Sequence, residues 1–93
     1  MNFEINLKIM KEIYGEEIEE IILDNMDNIK TNVATLEDLN FKDIQGIFEM
    51  YPALFMNFPK QFKEKIEKLR NIYGKNFVDK IENDLTLVEV IED

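Results

Sequence analysis

The sequence contains no cysteine, histidine, tryptophan or serine. Without cysteine it has no disulfide, no thiolate nucleophile and no sulfur ligand for a metal, and without histidine it has no imidazole base or ligand. Its three glycines, Gly15, Gly46 and Gly74, lie too far apart to form a glycine-rich phosphate-binding loop. These absences exclude most routes to catalysis, so we predict a non-catalytic protein without a metal or another cofactor.

Two kinds of hydrophobic segment are also missing. No apolar run reaches the length of about 18 residues that a membrane-spanning helix needs. The first residues, Met1–Glu4, lack the basic and apolar regions of a signal peptide. We therefore expect an intracellular, cytoplasmic protein without membrane contact.

The chain of 93 residues is acidic and rich in hydrophobic side chains. It carries 11 Lys and Arg against 20 Asp and Glu, a formal net charge of −9, and 45% of its residues are hydrophobic. This hydrophobic fraction is too high for a disordered acidic tail, and the length suits one small domain. We predict a single globular domain over residues 1–93.

Apolar residues recur with helical spacing through most of the chain. The i, i+3, i+4 pattern from Ile18 to Ile29 and from Phe62 to Tyr73 predicts two helices, each with one buried face. A shorter helix is predicted from about Lys42 to Met50, ending before Pro52, because proline disfavours helical geometry in the residue before it. Another short helix is predicted to open at Asn32.

Several residues mark helix ends. Gly15 and Gly74 each follow an Ile-Tyr pair at the end of an apolar pattern and are predicted helix stops. Pro59 suits the first turn of a helix. Thr86 and Glu89 have the spacing of a capping box and predict a last short helix. Together these signals predict an all-α fold of about six short helices.

The segments that follow the two Ile-Tyr-Gly sites are similar. Aligning Gly15 with Gly74, and both with Phe41, superposes apolar residues in three places. The aligned sets are Ile18, Ile44 and Phe77; Ile22, Phe48 and Ile81; and Met26, Pro52 and Leu85. The spacings from Gly15 to Phe41 and from Phe41 to Gly74, 26 and 33 residues, differ by seven, about two helical turns, so the buried face stays in phase. We predict stacked helical hairpins in a short solenoid-like bundle, with approximate repeats at 3–31, 32–58 and 59–93.

Residues 36–87 carry motifs of a known helical repeat. The segment Tyr51–Phe55 (YPALF) follows one short helix, and Leu69–Gly74 closes the next long one. This stretch resembles two consecutive repeats of the mitochondrial transcription termination factor family, in which a helix ending in Leu-x-x-x-Gly leads to a short helix ending in Pro-x-Leu-Leu. The repeat proline is present at Pro52, whereas the other two copies have Met26 and Leu85. The resemblance implies a stack of helical repeats and nucleic-acid binding.

The negative charge is distributed unevenly. Residues 1–31 carry three Lys against eight acids, 32–58 one against four, 59–80 seven basic residues against three acids, and 81–93 five acids and no basic residue. The basic segment predicts a phosphate-contacting surface on helix 59–75, formed by Lys63, Lys65, Lys68, Arg70 and Lys75. The alternative is a solvated helix face, because Glu64 and Glu67 are interleaved and the net charge repels phosphates.

Two further segments are candidates for protein contact. The first is an acidic run that fits a basic partner or a cation, or else a solvated face favoured by the helix dipole: Glu16, Glu17, Glu19 and Glu20. The second is an apolar connection: Leu54, Phe55, Met56 and Phe58. One helical turn cannot bury all four of these apolar side chains. We therefore expect at least one of them to be exposed or covered by a partner.

Together these features predict a non-catalytic protein-interaction or regulatory module whose partner is a basic protein. Two alternatives stay open. One is a nucleic-acid-binding module that uses the basic helix 59–75, and the other is an acidic inhibitor that occupies the nucleic-acid site of another protein. Near the C-terminus, Leu87, Val88 and Ile91 either close the stack or pair with a second copy of the chain in a homo-oligomer.

Overall fold

Helices form all the regular secondary structure of residues 3–92, the part of the chain that the computed structural model describes. This part contains α1 (Leu7–Tyr14), α2 (Ile18–Asp24), α3 (Met26–Asp38), α4 (Ile44–Met50), α5 (Pro52–Phe55), α6 (Pro59–Tyr73), α7 (Phe77–Asn83) and a 3₁₀ helix (Leu85–Ile91). The all-α prediction is confirmed, although the described part has more helices than the six expected. Of the expected domain 1–93, Met1, Asn2 and Asp93 lie outside the described residues.

The helices are short. The longest, α6, has 15 residues, which at 1.5 Å per residue makes it about 22 Å long. Within residues 3–92, no helix combines the length and the apolar character needed to cross a membrane.

Capping side chains, glycines and a proline set several helix ends. The side chains of Asn6 and Asp43 each accept a hydrogen bond from the backbone N–H three residues on, at 3.1 and 3.0 Å, and begin α1 and α4. Gly15 and Gly74 end α1 and α6 with φ angles of 94° and 89°, which residues with a Cβ rarely adopt. Pro59 lies in the first turn of α6. The two predicted helix stops and the position of this proline are confirmed.

The predicted continuous helix from Ile18 to Ile29 is wrong, because the chain breaks at Asn25 between α2 and α3. The Asn25 side chain donates a hydrogen bond to the Ile21 carbonyl at 2.8 Å, and its backbone N–H bonds carbonyls in the last turn of α2. Such local side-chain bonding competes with helix continuation. Ile21, in α2 before the break, is 43% exposed.

The predicted short helix opening at Asn32 is also wrong. Helix α3 runs without a break from Met26 to Asp38 and crosses the expected repeat boundary between residues 31 and 32. Asn32 lies within α3 and is wholly buried. Its Nδ2 donates hydrogen bonds to the carbonyls of Phe55 and Asn57, both at 2.9 Å. The side chain therefore holds the segment after α5 in place and starts no helix.

The last helix begins one residue before the predicted cap. The Asp84 carboxylate accepts hydrogen bonds from the backbone N–H and the hydroxyl of Thr86, at 3.1 and 2.5 Å, and begins the 3₁₀ helix at Leu85. The predicted last short helix is thus present, with Asp84 at its start.

Aromatic rings connect the helices inside the core. Phe48 lies 5.3 Å from Phe55, and Phe55 lies 5.6 Å from Phe62, measured between ring centroids. Phe41 contacts Phe77 at 6.1 Å. These five rings are no more than 2% exposed and meet in edge-on or tilted arrangements, which aromatic pairs favour. The row joins α4, α5 and α6, while Phe41 links the turn before α4 to α7.

Candidate interaction surfaces

The apolar connection from Leu54 to Phe58 is mostly core. Leu54 and Phe55 are only 1% and 0% exposed, so their predicted role as surface contacts is wrong: α5 buries both side chains in the core, with Phe55 in the aromatic row. Met56 is half-buried. Phe58 is 67% exposed, the most exposed large apolar side chain in residues 3–92. The expectation that at least one of the four is exposed is therefore met by Phe58.

Hydrogen bonds hold the turn that carries Phe58. Asn32 donates to the carbonyls of Phe55 and Asn57, and the Asn57 side chain donates to the carbonyl of Leu54 at 2.8 Å. Pro59, directly after Phe58, has a φ angle restricted by its ring. The Oδ1 atom of Asn32 is buried and accepts no hydrogen bond from any described residue. The hydrogen bonds before Phe58 and the restricted backbone of Pro59 after it thus fix the turn, and the Phe58 side chain stays in the solvent.

The structure brings the four predicted glutamates together at the start of α2. Glu16 and Glu17 lie in the turn before α2 and are exposed, as is Glu20. Glu19 pairs with Lys11 of α1 at 2.5 Å, and Glu16 approaches the same ammonium at 4.0 Å. The hydrogen bond and the charge of Glu19 raise the pKa of Lys11 above its ordinary value. Part of the acidic run therefore joins α1 to α2.

The five predicted basic residues do not share one face. Lys63 and Arg70 lie on the flank of α6 that faces α3, beside Asp38, whereas Lys65 lies on the opposite flank and donates to the carbonyl of Ile91 at 3.1 Å. Arg70 pairs with Glu67 at 3.6 Å, and its guanidinium lies 5.6 Å from the ring centroid of Phe77. Lys68 and Lys75 are exposed.

An apolar groove near the N-terminus was not predicted. We call it the N-terminal groove; it has a volume of about 330 Å³. The segment before and at the start of α1 supplies one wall, with Phe3, Ile5 and Leu7. The second wall, at the junction of α2 and α3, is formed by Leu23, Met26 and Lys30. The fully buried Ile22 and Ile29 lie at the floor.

The sequence does carry a signal for this groove. Phe3, Ile5 and Leu7 alternate with polar residues, the pattern of an extended segment that packs one side. Leu23 lies off the apolar stripe of α2 and is 57% exposed. Apolar residues that lie outside the buried stripe of a helix can thus indicate an apolar groove on the surface.

Within residues 3–92, no group of three or more acidic side chains is placed to hold a metal ion. No family model, curated protein or solved structure matches this chain. The resemblance of residues 36–87 to mitochondrial transcription termination factor repeats therefore stays a prediction.

Proposed function

We propose that this chain is a non-catalytic protein-interaction module, in which stacked helical repeats hold Phe58 in the solvent as the anchor for a partner protein. The observation that carries the proposal is the 67% exposure of Phe58 in a turn fixed by the buried Asn32. Covering a large aromatic side chain with a partner removes its apolar surface from water, and this lowers the free energy of the complex. Aromatic anchors of this kind dominate the energetics of many interfaces.

Helix boundaries support the three-repeat arrangement. The helices α2, α4 and α7 are each seven residues long and begin at Ile18, Ile44 and Phe77, which are aligned positions of the repeat. After a single intervening residue, the next helix begins at the next set of aligned positions: Met26, Pro52 and Leu85. The side chains at the central aligned positions, Ile22, Phe48 and Ile81, are all 0% exposed.

The same alignment identifies what is special about the Phe58 turn. Counting back 15 residues from Phe41 and from Gly74 gives Met26 and Pro59, which are the first residues of α3 and α6. The seven residues by which the two repeat spacings differ are therefore residues 52–58, comprising α5 and the turn. This extra segment carries Phe58, and Asn32 of the preceding long helix binds it.

The fixed turn also favours tight binding. Association costs free energy when loops and side chains become ordered in the interface, and a turn that is already ordered avoids part of that cost. Asn32, Asn57 and Pro59 supply this order before any partner arrives. The exposed Lys60 beside the turn adds a charged rim to the apolar anchor.

The test is the isolation of a partner from cell extract, followed by reconstitution of the complex from the two purified proteins. Calorimetry then gives the Kd for the wild-type chain, for Phe58→Ala and for the control Ile72→Ala, which removes another exposed apolar side chain (53%) from α6. We expect Phe58→Ala to weaken the complex roughly 30-fold, the loss typical of a central aromatic anchor. Ile72→Ala should leave the affinity unchanged.

A Phe58→Ala variant that binds as tightly as the wild type would refute the anchor. Equal weakening by both substitutions would also refute it, since any loss of apolar surface would then have the same effect. Both variants should unfold at the wild-type denaturant concentration, because the two side chains are mostly in water.

The two alternative functions have less support. Nucleic-acid binding by helix 59–75 would draw on Lys65 and Arg70, which already contact Ile91, Glu67 and Phe77 of the same chain. An acidic inhibitor of a nucleic-acid-binding protein would draw on Glu19, which pairs with Lys11. The Phe58 turn needs no such rearrangement to meet a partner.

A further inference from the structure

We propose that the N-terminal groove binds the apolar face of a basic amphipathic helix supplied by a partner protein. This inference rests on the proposed function as an interaction module and assigns a second surface to it, distinct from Phe58. Four observations carry it: the apolar lining of the groove, its open wall at Leu23, its scarcity of polar groups and the acidic residues around it.

The walls of the groove are fixed to the core on one side and open on the other. The Phe3 ring packs edge-on against the buried Phe48, with 5.5 Å between the ring centroids. The opposite wall exposes 57% of Leu23 to solvent, while Met26 next to it is half-buried. Residues that line a closed core would be buried, so this apolar surface has room for side chains from another molecule.

The charges around the groove select a basic occupant. Asp24 and Asp27 are close in sequence to Leu23 and Met26 in the second wall, and both carboxylates are exposed. The cation in the lining is Lys30. Because residues 1–31 carry eight acids against three Lys, lysine or arginine at the edges of the occupant would meet a negative potential.

The lining also selects a helix over an extended peptide. Seven of the eight lining side chains are apolar, and Lys30 is the polar one. An extended peptide would bring backbone N–H and C=O groups into this groove without partners, which is costly. A helix satisfies its own backbone and offers apolar residues at i, i+3, i+4 and i+7 to the groove.

A second copy of this chain fits the groove less well. Residues 1–31 and 81–93, at the two ends of the chain, are both strongly acidic. Pairing the groove with itself, or with the other end of a second copy, would bring like charges together. A basic partner avoids this repulsion.

The test uses a fluorescein-labelled synthetic helix of leucine and lysine, with leucine at i, i+3, i+4 and i+7. The control peptides are a leucine and glutamate helix of the same pattern and a scrambled leucine and lysine peptide. Fluorescence anisotropy should show binding of the first peptide alone, with an affinity that falls as salt rises. Binding should also shift the Met26 methyl resonance of the protein.

Two charge-matched variants locate the site. Leu23→Glu places a carboxylate in the open wall, whereas Ile13→Glu places one at a side chain of the same exposure, 57%, that does not line the groove. Each variant adds one negative charge, so their long-range attraction for the peptide is equal. We expect Leu23→Glu to weaken binding roughly tenfold or more and Ile13→Glu to leave it within about twofold.

The outcomes separate this inference from the proposed function. No binding of the leucine and lysine helix, equal binding of the scrambled peptide, or equal weakening by both variants overturns the groove as its site. A dimer that sedimentation detects in the wild type and not in Leu23→Glu also overturns it, because a second copy would then be the occupant. Phe58→Ala should not change peptide binding, so failure here leaves the Phe58 experiment unaffected.

Discussion

The two terminal segments of the chain are closed to different degrees. At the C-terminal end, the 3₁₀ helix covers α6 and α7, with Val88 and Ile91 only 1% and 4% exposed. Two side chains of α6 hold it there: Tyr73 donates to the carbonyl of Leu87 at 3.0 Å, and Lys65 donates to the carbonyl of Ile91. At the N-terminal end, the N-terminal groove stays open.

Helix length explains much of this difference. Helix α6 has 15 residues and α1 has eight, so the two are about 22 Å and 12 Å long. The longer helix presents side chains to its neighbours over nearly twice the distance, whereas α1 packs against α2 and leaves Leu23 57% exposed.

The largest expected effect concerns the core, where the two ends should behave alike. Ile22 and Ile81 are both 0% exposed, and Ile22→Asp or Ile81→Asp would bury an unpaired carboxylate. A loss of about 4 kcal/mol or more from a domain of this size should leave either variant largely unfolded at 25 °C by circular dichroism. The control Leu23→Asp, next to Ile22 and 57% exposed, should stay folded. If Ile22→Asp stayed folded, the burial of Ile22 would not be needed for the stability of the N-terminal segment.

A smaller loss is expected between the two ends, at Asn32. Asn32→Ala removes one buried and one part-buried hydrogen bond, to the carbonyls of Phe55 and Asn57, and should lower the free energy of unfolding by about 2 kcal/mol in urea denaturation. Thr31→Ala, at an exposed position of the same helix, is the control and should change it by less than about 0.5 kcal/mol. Unfolding should remain one transition. Two separate transitions would mean that the ends fold as independent units.

Two tyrosine hydroxyls compare the attachment of the ends directly. Tyr73→Phe removes the bond to Leu87 and should cost about 1 kcal/mol of unfolding free energy. Tyr14→Phe removes bonds to the carbonyls of Glu49 and Met50, at 2.5 and 3.2 Å, but Tyr14 is 40% exposed and water can replace its partners. We therefore expect Tyr14→Phe to cost less in the same urea titration. The reverse order would make the N-terminal end the more firmly held one.

The smallest effect should appear at alkaline pH. Burial raises the pKa of Tyr14, and the nearby Glu92 and Glu49 carboxylates add to the increase. Burial likewise raises the pKa of Tyr51. Because the folded chain holds these protons more tightly than the unfolded chain, their contribution to stability is complete below the unfolded pKa of about 10 and is lost as pH rises above it.

The double variant Tyr14→Phe, Tyr51→Phe isolates this contribution. Between about pH 9 and 11, its melting temperature should fall less than that of the wild type. The control is Thr31→Ala, at an exposed position without an ionisable side chain, which should follow the wild-type slope. Equal slopes for the double variant and the wild type would mean that ionisation of Tyr14 and Tyr51 does not destabilise the folded chain.

Local signals in the sequence predict much of this fold. Gly15 and Gly74 end their helices because the backbone there needs a positive φ, a property of the residue itself. The first residues of α2, α4 and α7, namely Ile18, Ile44 and Phe77, coincide with positions aligned from the Ile-Tyr-Gly sites. Apolar spacing suffices here because the helix period is a local property.

Other features depend on residues far away in the chain. The burial of Asn32 inside α3 needs the carbonyls of Phe55 and Asn57, 23 and 25 residues on, and no local pattern carries that information. For the same reason, sequence reasoning could name four candidates in the apolar connection without identifying Phe58. Which side chains face outward depends on how α5 packs against the aromatic row.

The carboxylate of Glu82, on α7, has a consequence for how α4 forms. It accepts hydrogen bonds from the backbone N–H groups of Lys42 and Asp43, 40 and 39 residues earlier in the chain. These two amides precede α4, so the N-terminal turn of that helix is completed by a residue synthesised much later. Their exchange with deuterated water therefore reports the docking of α7, and in a nascent chain that ends before Glu82 the same amides should exchange quickly.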